Sequence, residues 1–522
     1  MTPPSDIAGA PGRAWRLTLS LVGVLTILRL VALFTTPLEL YPDEAQYWLW
    51  SRELAFGYFS KPPLIAWLIW ATTHVGGDAE PWVRVSALLL HGATALVIQR
   101  IGQRLYDART GLAAAMLYSL MPAIQLSSGV ITTDAPLLFF LALTIWAYVS
   151  LPTADTRRRL LLAAGMGASL GLAFLSKYAA IYAVGGLAAH LALSAEARRC
   201  WTAPMIALCL GVAALVFAPN LLWNLNHHFS TLEHTASNAN WNAGSLFNIR
   251  ELMEFIVSQL GVFGPIPFAV LAGGAIWLGA RRRLAPADVL LLCFAAPPLV
   301  VVTVQAFVSR ANANWAGAAY VAGAVLAAAW LMRWKARGWL IAAVAMQALF
   351  AAVFLLCMVN PRAADALGAA NSFKRVRGWE QSVQAIVERS REEQSRGGLT
   401  AVAMDDRFLF NAAAYYGRDY FGKPGAPPLR MWVHEARPQN QAETEAPLNA
   451  ALGRRALIAS LEGGYRPEIE QDFARVSGLQ IVRVGLDRKR SRRTDLFVAE
   501  GFQPLPRDPV TGLPPAPKAA EK

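Results

Sequence analysis

Residues 62–77 read Pro-Pro-Leu-Ile-Ala-Trp-Leu-Ile-Trp-Ala-Thr-Thr-His-Val-Gly-Gly, and whether this run crosses a bilayer decides the side on which every later loop lies. A crossing helix needs about 20 mostly apolar residues, because a hydrocarbon core of about 30 Å is climbed at about 1.5 Å per residue. Sixteen residues fall short. The run also opens with two prolines, and Trp67, Trp70 and His74 suit a membrane–water boundary. It is expected to lie at the interface or to re-enter, not to cross.

Outward from it, eleven longer runs are expected to cross, at roughly 17–38, 84–103, 110–130, 135–152, 160–176, 178–195, 202–222, 254–280, 288–308, 313–332 and 338–359. With 62–77 not crossing and the N-terminus inside, the cytoplasmic side collects Arg13 and Arg16. It also takes the clusters Arg100/Arg104/Arg109, Arg157–Arg159, Arg198/Arg199, Arg281–Arg283 and Arg333/Lys335/Arg337, sixteen basic residues in all. The outer loops hold six: Arg52, Lys61, Arg84, Lys177, Arg250 and Arg310. Short cytoplasmic loops carry such an excess, and a crossing at 62–77 would invert it. The first run, after Arg13 and Arg16, lacks a cleavable-signal pattern and is expected to remain as an anchor.

Eleven crossings put the chain from about 360 outside. There Leu399–Met404, Leu429–Val433 and Arg455–Ala459 read as short buried strands, with helical stretches near 376–396 and 406–416. The expected fold is an all-α polytopic membrane domain with a small C-terminal α/β periplasmic domain. The membrane domain covers 1–359 with outer loops at 38–83 and 223–253, the soluble domain 360–502, and a disordered tail 503–522.

Of the 522 residues, 55% are hydrophobic and 16% charged, against about 25% charged in soluble globular proteins. A net charge of +13 would suit nucleic acid, but the basic residues lie in short clusters between apolar runs. Topology accounts for them, and no nucleic-acid partner is expected. Cys200, Cys209, Cys293 and Cys357 show neither disulfide nor metal spacing.

The unusual polar residues gather on the outer face. They are Tyr41-Pro-Asp43-Glu44-Ala-Gln-Tyr-Trp48, Gly57-Tyr-Phe-Ser-Lys61-Pro-Pro-Leu64, Thr132-Thr-Asp134, Ser176-Lys177-Tyr178, Glu233-His234, Asn238-Ala-Asn-Trp241 and Arg310-Ala-Asn-Ala-Asn-Trp315. Singly, each has an ordinary reading: a solvated pair for Asp43 and Glu44, a helix N-cap for Asp134, interface anchors for the lysines. Glu233-His234 is two or three ligands short of a metal site. Arg29, inside the first run, either snorkels outward or faces an anionic group. Together, two carboxylates beside Lys61, Lys177 and Arg310 suit a phosphate held at the bilayer edge, with a carboxylate to accept a proton from an attacking hydroxyl.

These segments, with Thr133-Asp134-Ala-Pro-Leu, Pro219-Asn-Leu-Leu-Trp-Asn224 and Phe263-Gly-Pro265, resemble in order the outer-face motifs of GT-C glycosyltransferases. The likeness is to the glycosyltransferase family 39 group of bacterial aminoarabinose transferases and protein O-mannosyltransferases, from about 15 to 330. The resemblance implies a polyprenyl-phosphate-linked sugar donor and inverting transfer on the periplasmic face of a bacterial inner membrane. It implies Asp43 as base, with Lys61 and Asp134 as the other catalytic residues. Glu44, Lys177, Tyr178, His234 and Arg310 would contact donor or phosphate. Aminoarabinose transferases carry a Glu linked to a bound metal just before Lys-Pro, where this chain has Ser60. That counts against a zinc site and against aminoarabinose; no definite cofactor is implied, and a divalent metal stays open. The expected acceptor is lipid A, lipopolysaccharide or another envelope glycan. Protein Ser/Thr hydroxyls stand as an alternative acceptor, and a transporter or flippase of lipid-linked saccharides as an alternative function.

Overall fold

A computed structural model describes residues 10–237, 239 and 247–516; Asn238, Asn240 and Trp241 of the motifs above lie outside them. The chain divides into two compact units, one of Met1–Thr36 with Ala55–Val359, the other of Pro37–Leu54 with Asn360–Lys522.

The first unit is a helical bundle. Among the described residues seven helices are long and apolar enough to cross a membrane: Gly12–Thr35, Glu80–Leu105, Asp134–Thr153, Thr156–Ser176, Ala203–Asn226, Pro286–Val308 and Arg337–Val359. Two bent pairs raise this to as many as nine. Exposed Leu21, Val24, Leu28, Leu210, Leu215, Ile341 and Leu349 line these helices, an apolar surface that fits lipid and not water. This is a multi-pass membrane protein. The eleven expected runs correspond to the seven long helices, the two bent pairs and two shorter apolar helices, Tyr178–Leu193 and Ala319–Arg333. Ala319–Arg333 lies inside the bundle, buried from Ala319 to Leu331, and its small residues let neighbouring backbones approach. Leu64–Gly76 forms a helix of 13 residues within the run 62–77.

Both bends have a local cause. Helices Ala108–Leu120 and Pro122–Gly129 meet at 56°, because Pro122 has no N–H to continue the ladder. The Ser119 carbonyl released there accepts from Arg29 Nη2 at 2.5 Å and Gln125 Nε2 at 2.8 Å, and Arg29 Nη2 also donates to Gln125 Oε1 at 2.9 Å. Arg29, 5% exposed, thus neither snorkels nor meets an anion; it braces a helix break. Helices Ile249–Phe263 and Pro265–Ala280, within the run 254–280 expected to cross, meet at 118°. Gly264 between them has φ +98°, open to glycine and strained for other residues. The Phe263 carbonyl accepts from Gln347 Nε2 at 2.8 Å.

The second unit is built on a five-stranded sheet, β1 Ala401–Met404, β2 Leu429–Met431, β3 Arg455–Leu461, β4 Phe473–Gly485 and β5 Ser491–Phe502, ordered β2-β1-β3-β5-β4. The first three strands are parallel, and β5 and β4 add antiparallel. Helices Trp379–Gly397 and Arg407–Tyr416 pack on it through Val383, Ile386, Leu409 and Ala413. Sequence reading missed the β4–β5 hairpin, whose basic, largely exposed β4 lacks a buried apolar run. Part of the stretch expected to be a disordered tail is fastened: Leu505 N–H and Arg507 donate to Asp472, and Ala436 N–H to the Gly512 carbonyl.

Asp405, at the end of β1, accepts from Ser460 Oγ at 2.5 Å and Leu461 N–H at 2.9 Å. Burial outweighs these bonds and pushes its carboxyl from 3.8 up to about 7. The folded state therefore holds a proton that the unfolded chain releases, so this stability is complete below about pH 4 and lost as pH rises through about 7. Thermal unfolding of the full chain should show a midpoint that falls across this window, and Asp405→Asn should flatten the slope. Arg29→Ala should cost about 1–3 kcal/mol by stranding Gln125 Oε1 and removing one of the two donors to the Ser119 carbonyl. Arg29→Lys, lacking the planar fork, should restore little of it, as read from unfolding midpoints in detergent.

Candidate functional site

The helix Asp134–Ser150 begins at its acidic residue, and Asp134 N–H meets Thr132 Oγ1 at 3.3 Å. The Asp134 carboxylate is claimed from two sides. Lys177 Nζ lies 2.7 Å from Oδ1, and Asn314 Nδ2 donates to Oδ2 at 2.9 Å. Lys177 is placed by the break between the helix Thr156–Ser176 and the turn Tyr178–Ala180, where its backbone is extended. The side chains of the pair are 22% and 17% exposed, so the pair stands at the edge of the bundle and not in its core. A third charge, Lys61, acts electrostatically on the same carboxylate. Ammonium groups at the edge of the bundle are point charges suited to an anion such as phosphate.

The stretch that delivers Lys61 is clamped to the helix Ala203–Asn226 and to the short helix Ser230–Ser237 after it. Asn220 Nδ2 donates to the Phe56 carbonyl at 2.6 Å, and Thr231 Oγ1 to the Tyr58 carbonyl at 2.7 Å. Gly57 lies against the Trp223 ring so closely that a Cβ would come within 2.3 Å of it. Tyr178 joins this clamp: its hydroxyl donates to Asn220 Oδ1 at 3.0 Å and accepts from Asn224 Nδ2 at 3.1 Å. His234, on the short helix Ser230–Ser237, sits edge-on to Phe59 at 5.9 Å between centroids. Of the expected residues, then, Lys61, Asp134 and Lys177 come together. Tyr178 and His234 flank the stretch that carries Lys61. Arg310 is exposed, and its backbone carbonyl accepts from Gln305 Nε2 at 3.1 Å.

Asp43 and Glu44 belong to the other unit, on the helix Pro42–Trp50. Asp43 is 40% exposed and lies 3.6 Å from Arg407. Glu44 is fully buried, and its Oε2 accepts from Tyr41 N–H at 2.8 Å. Its carboxylate serves the start of its own helix, a placement at odds with an open phosphate-contact role. Asn314, Asn220, Asn224 and Arg407 were not singled out as site residues; the Asn-Ala-Asn-Trp and Pro-Asn-Leu-Leu-Trp-Asn segments were the available signal for the first three. Among the described residues no group of three His, Cys, Asp or Glu is placed to hold a metal ion.

Residues 60–223, less than half of the chain, match the family model of dolichyl-phosphate-mannose-protein mannosyltransferases. The lipid A galacturonosyltransferase RgtD of Rhizobium johnstonii is 40% identical over 311 residues, covering 59% of this chain and 64% of that protein. Undecaprenyl phosphate-α-4-amino-4-deoxy-L-arabinose arabinosyl transferase 2 of Pseudomonas fluorescens is 31% identical over 150 residues, 26% of each chain. The crystal structure of ArnT from Cupriavidus metallidurans bound to undecaprenyl phosphate superposes with a TM-score of 0.61 at 16% identity. It covers 94% of this chain and 98% of that one, which shows a shared fold.

A half-buried ion pair costs more to break than to remove. Asp134→Asn and Lys177→Met should each destabilise the protein, and the double variant should recover about 1–3 kcal/mol of the summed loss. A double-mutant cycle on unfolding midpoints in detergent measures this.

Proposed function

We propose, from the premise that this chain carries the GT-C superfamily fold, that it is an integral-membrane inverting glycosyltransferase drawing its sugar from a polyprenyl-phosphate donor. It works at the outer face of a bacterial inner membrane, with its N-terminus cytoplasmic and its C-terminal domain periplasmic. The observation that carries the reading is the cluster of Lys177 and Lys61 around Asp134 at the bundle edge, a place suited to a lipid-borne phosphate.

In the reaction Asp43 accepts the proton of the acceptor hydroxyl, whose oxygen attacks the anomeric carbon from the face opposite the phosphate. The bond from that carbon to the phosphate oxygen breaks and the polyprenyl phosphate departs with the electron pair. Its growing charge is met by Lys61 and Lys177, groups already oriented before the reaction begins. Asp134, itself steadied by Asn314, fixes the Lys177 ammonium, while Asn220, braced by Tyr178 and Asn224, holds the Lys61 stretch in register. Arg310 and His234 are donor contacts in this reading. The likeness to a lipid A galacturonosyltransferase makes lipid A the acceptor and galacturonic acid the first sugar to test; Ser60 argues against aminoarabinose.

Mass spectrometry of lipid A from cells with the wild-type chain, Asp43→Asn or a deletion should show one sugar mass lost in both altered strains. With purified protein, Asp43→Asn should slow transfer by about 10²–10⁴-fold. An Asp43→Asn protein that folds and transfers at the wild-type rate would refute the base assignment.

A further inference from the structure

The helix Pro42–Trp50, with Asp43 near its start, is held by residues more than 300 positions further along the chain. Trp379 N–H donates to Glu39 Oε2 at 2.5 Å, and Leu40 N–H donates to the Tyr416 hydroxyl at 2.7 Å. Arg375 Nη1 meets the Tyr41 hydroxyl at 2.5 Å, and the Trp48 ring packs edge-on to Tyr415 at 4.9 Å. The last tie concerns the carboxylate itself. Arg407 Nη1 donates to Gln46 Oε1 at 2.8 Å, and its Nη2 stands 3.6 Å from Asp43 Oδ1. Asp43 and Gln46 are three apart on one helix and share a face, so a single planar guanidinium spans both.

Arg407 is itself placed without slack. It is the third residue after β1, at the carboxyl edge of the parallel strands, where open α/β sheets present their functional loops. Asp405 ties that loop to β3 through Ser460 and Leu461, and Asp406 caps the next helix by accepting from Phe408 and Leu409 N–H at 2.7 and 3.1 Å. The guanidinium also lies 4.6 Å above the Phe408 ring. A base needs one oxygen steadied and one lone pair open to the incoming hydroxyl. Arg407 Nη2 stands 3.6 Å from Oδ1, and the Asp43 side chain keeps 40% exposure.

We propose that Arg407 is a positioning residue for the transfer reaction: the C-terminal sheet is the mount of the catalytic base, and Arg407 sets the direction of the Asp43 carboxylate. The proposal rests on the reading of Asp43 as base. It predicts an effect on turnover in place of donor binding, because misaiming a group that acts in the transition state lowers kcat while KM stays nearly constant.

The test uses the full-length protein, lipid A, and a polyprenyl-phosphate donor carrying the sugar that the lipid A mass difference identifies. Arg407→Ala should lower kcat about 10- to 100-fold, with the donor KM changed less than about twofold. Added guanidinium ion at sub-denaturing concentration should restore part of the rate of Arg407→Ala and none of Asp43→Asn. Arg407→Lys, which keeps the charge and loses the fork, should fall between wild type and Arg407→Ala. Wild-type kcat in Arg407→Ala overturns the proposal. So does a loss of rate that guanidinium leaves unrepaired, or one that tracks a lowered unfolding midpoint in both Arg407 variants. Inactive Asp43→Asn beside fully active Arg407→Ala removes only the role of Arg407. Active Asp43→Asn removes the base assignment first and this proposal with it.

Discussion

Inside hydrocarbon a backbone carbonyl has no water to turn to, so each interruption of a helix must be repaired by another part of the protein. That constraint organises the membrane unit. Pro122 and Gly264-Pro265 interrupt helices, and each break is matched by a side chain from a different helix, Arg29 at Ser119 and Gln347 at Phe263. Gln125 adds a second donor at the first break. A buried arginine that reads as an anomaly in an apolar run is part of the answer to a proline nearly a hundred residues away.

The same constraint explains where polar groups collect. Along the spans some form paired sets, such as Tyr320 to Gln259 at 2.6 Å and the Asp288 carboxylate between Arg333 and Tyr106. The Asp134 set differs in that its carboxylate is itself partly exposed, 17% against 0% for Asp288, and in having Lys61 act on it as well. A carboxylate that stays partly open to solvent can change partners when a ligand arrives, which the fully buried Asp288 cannot do cheaply.

The second unit follows the rules of water-soluble proteins, with a parallel core covered by amphipathic helices. Its unusual feature is the inclusion of Pro37–Leu54. The segment richest in motif-like residues is fastened by Trp379, Arg375, Arg407 and Tyr416. Glu44 shows what that costs a motif-based reading. Side by side in sequence, Asp43 and Glu44 look equivalent, yet helix geometry points one outward and spends the other on the helix start.

Chain length and the alternation of apolar runs with arginine clusters were enough to read a multi-pass bundle and most of its helices. The reason is that a bilayer selects on local composition and length, quantities that need no knowledge of neighbours. The strands β1 to β3 were legible for a similar reason, as short apolar runs between turns, whereas β4 was not, because an edge strand with a solvated face carries no such run. The ordered motifs placed Lys61, Asp134 and Lys177 among the candidates. The sequence could not say that Asp134 meets Asn314 across 180 positions, or that Gln46 meets Arg407 across 361. Those pairings depend on how helices and strands pack in three dimensions, and packing, unlike hydropathy, is a property of the assembled chain and not of any segment of it.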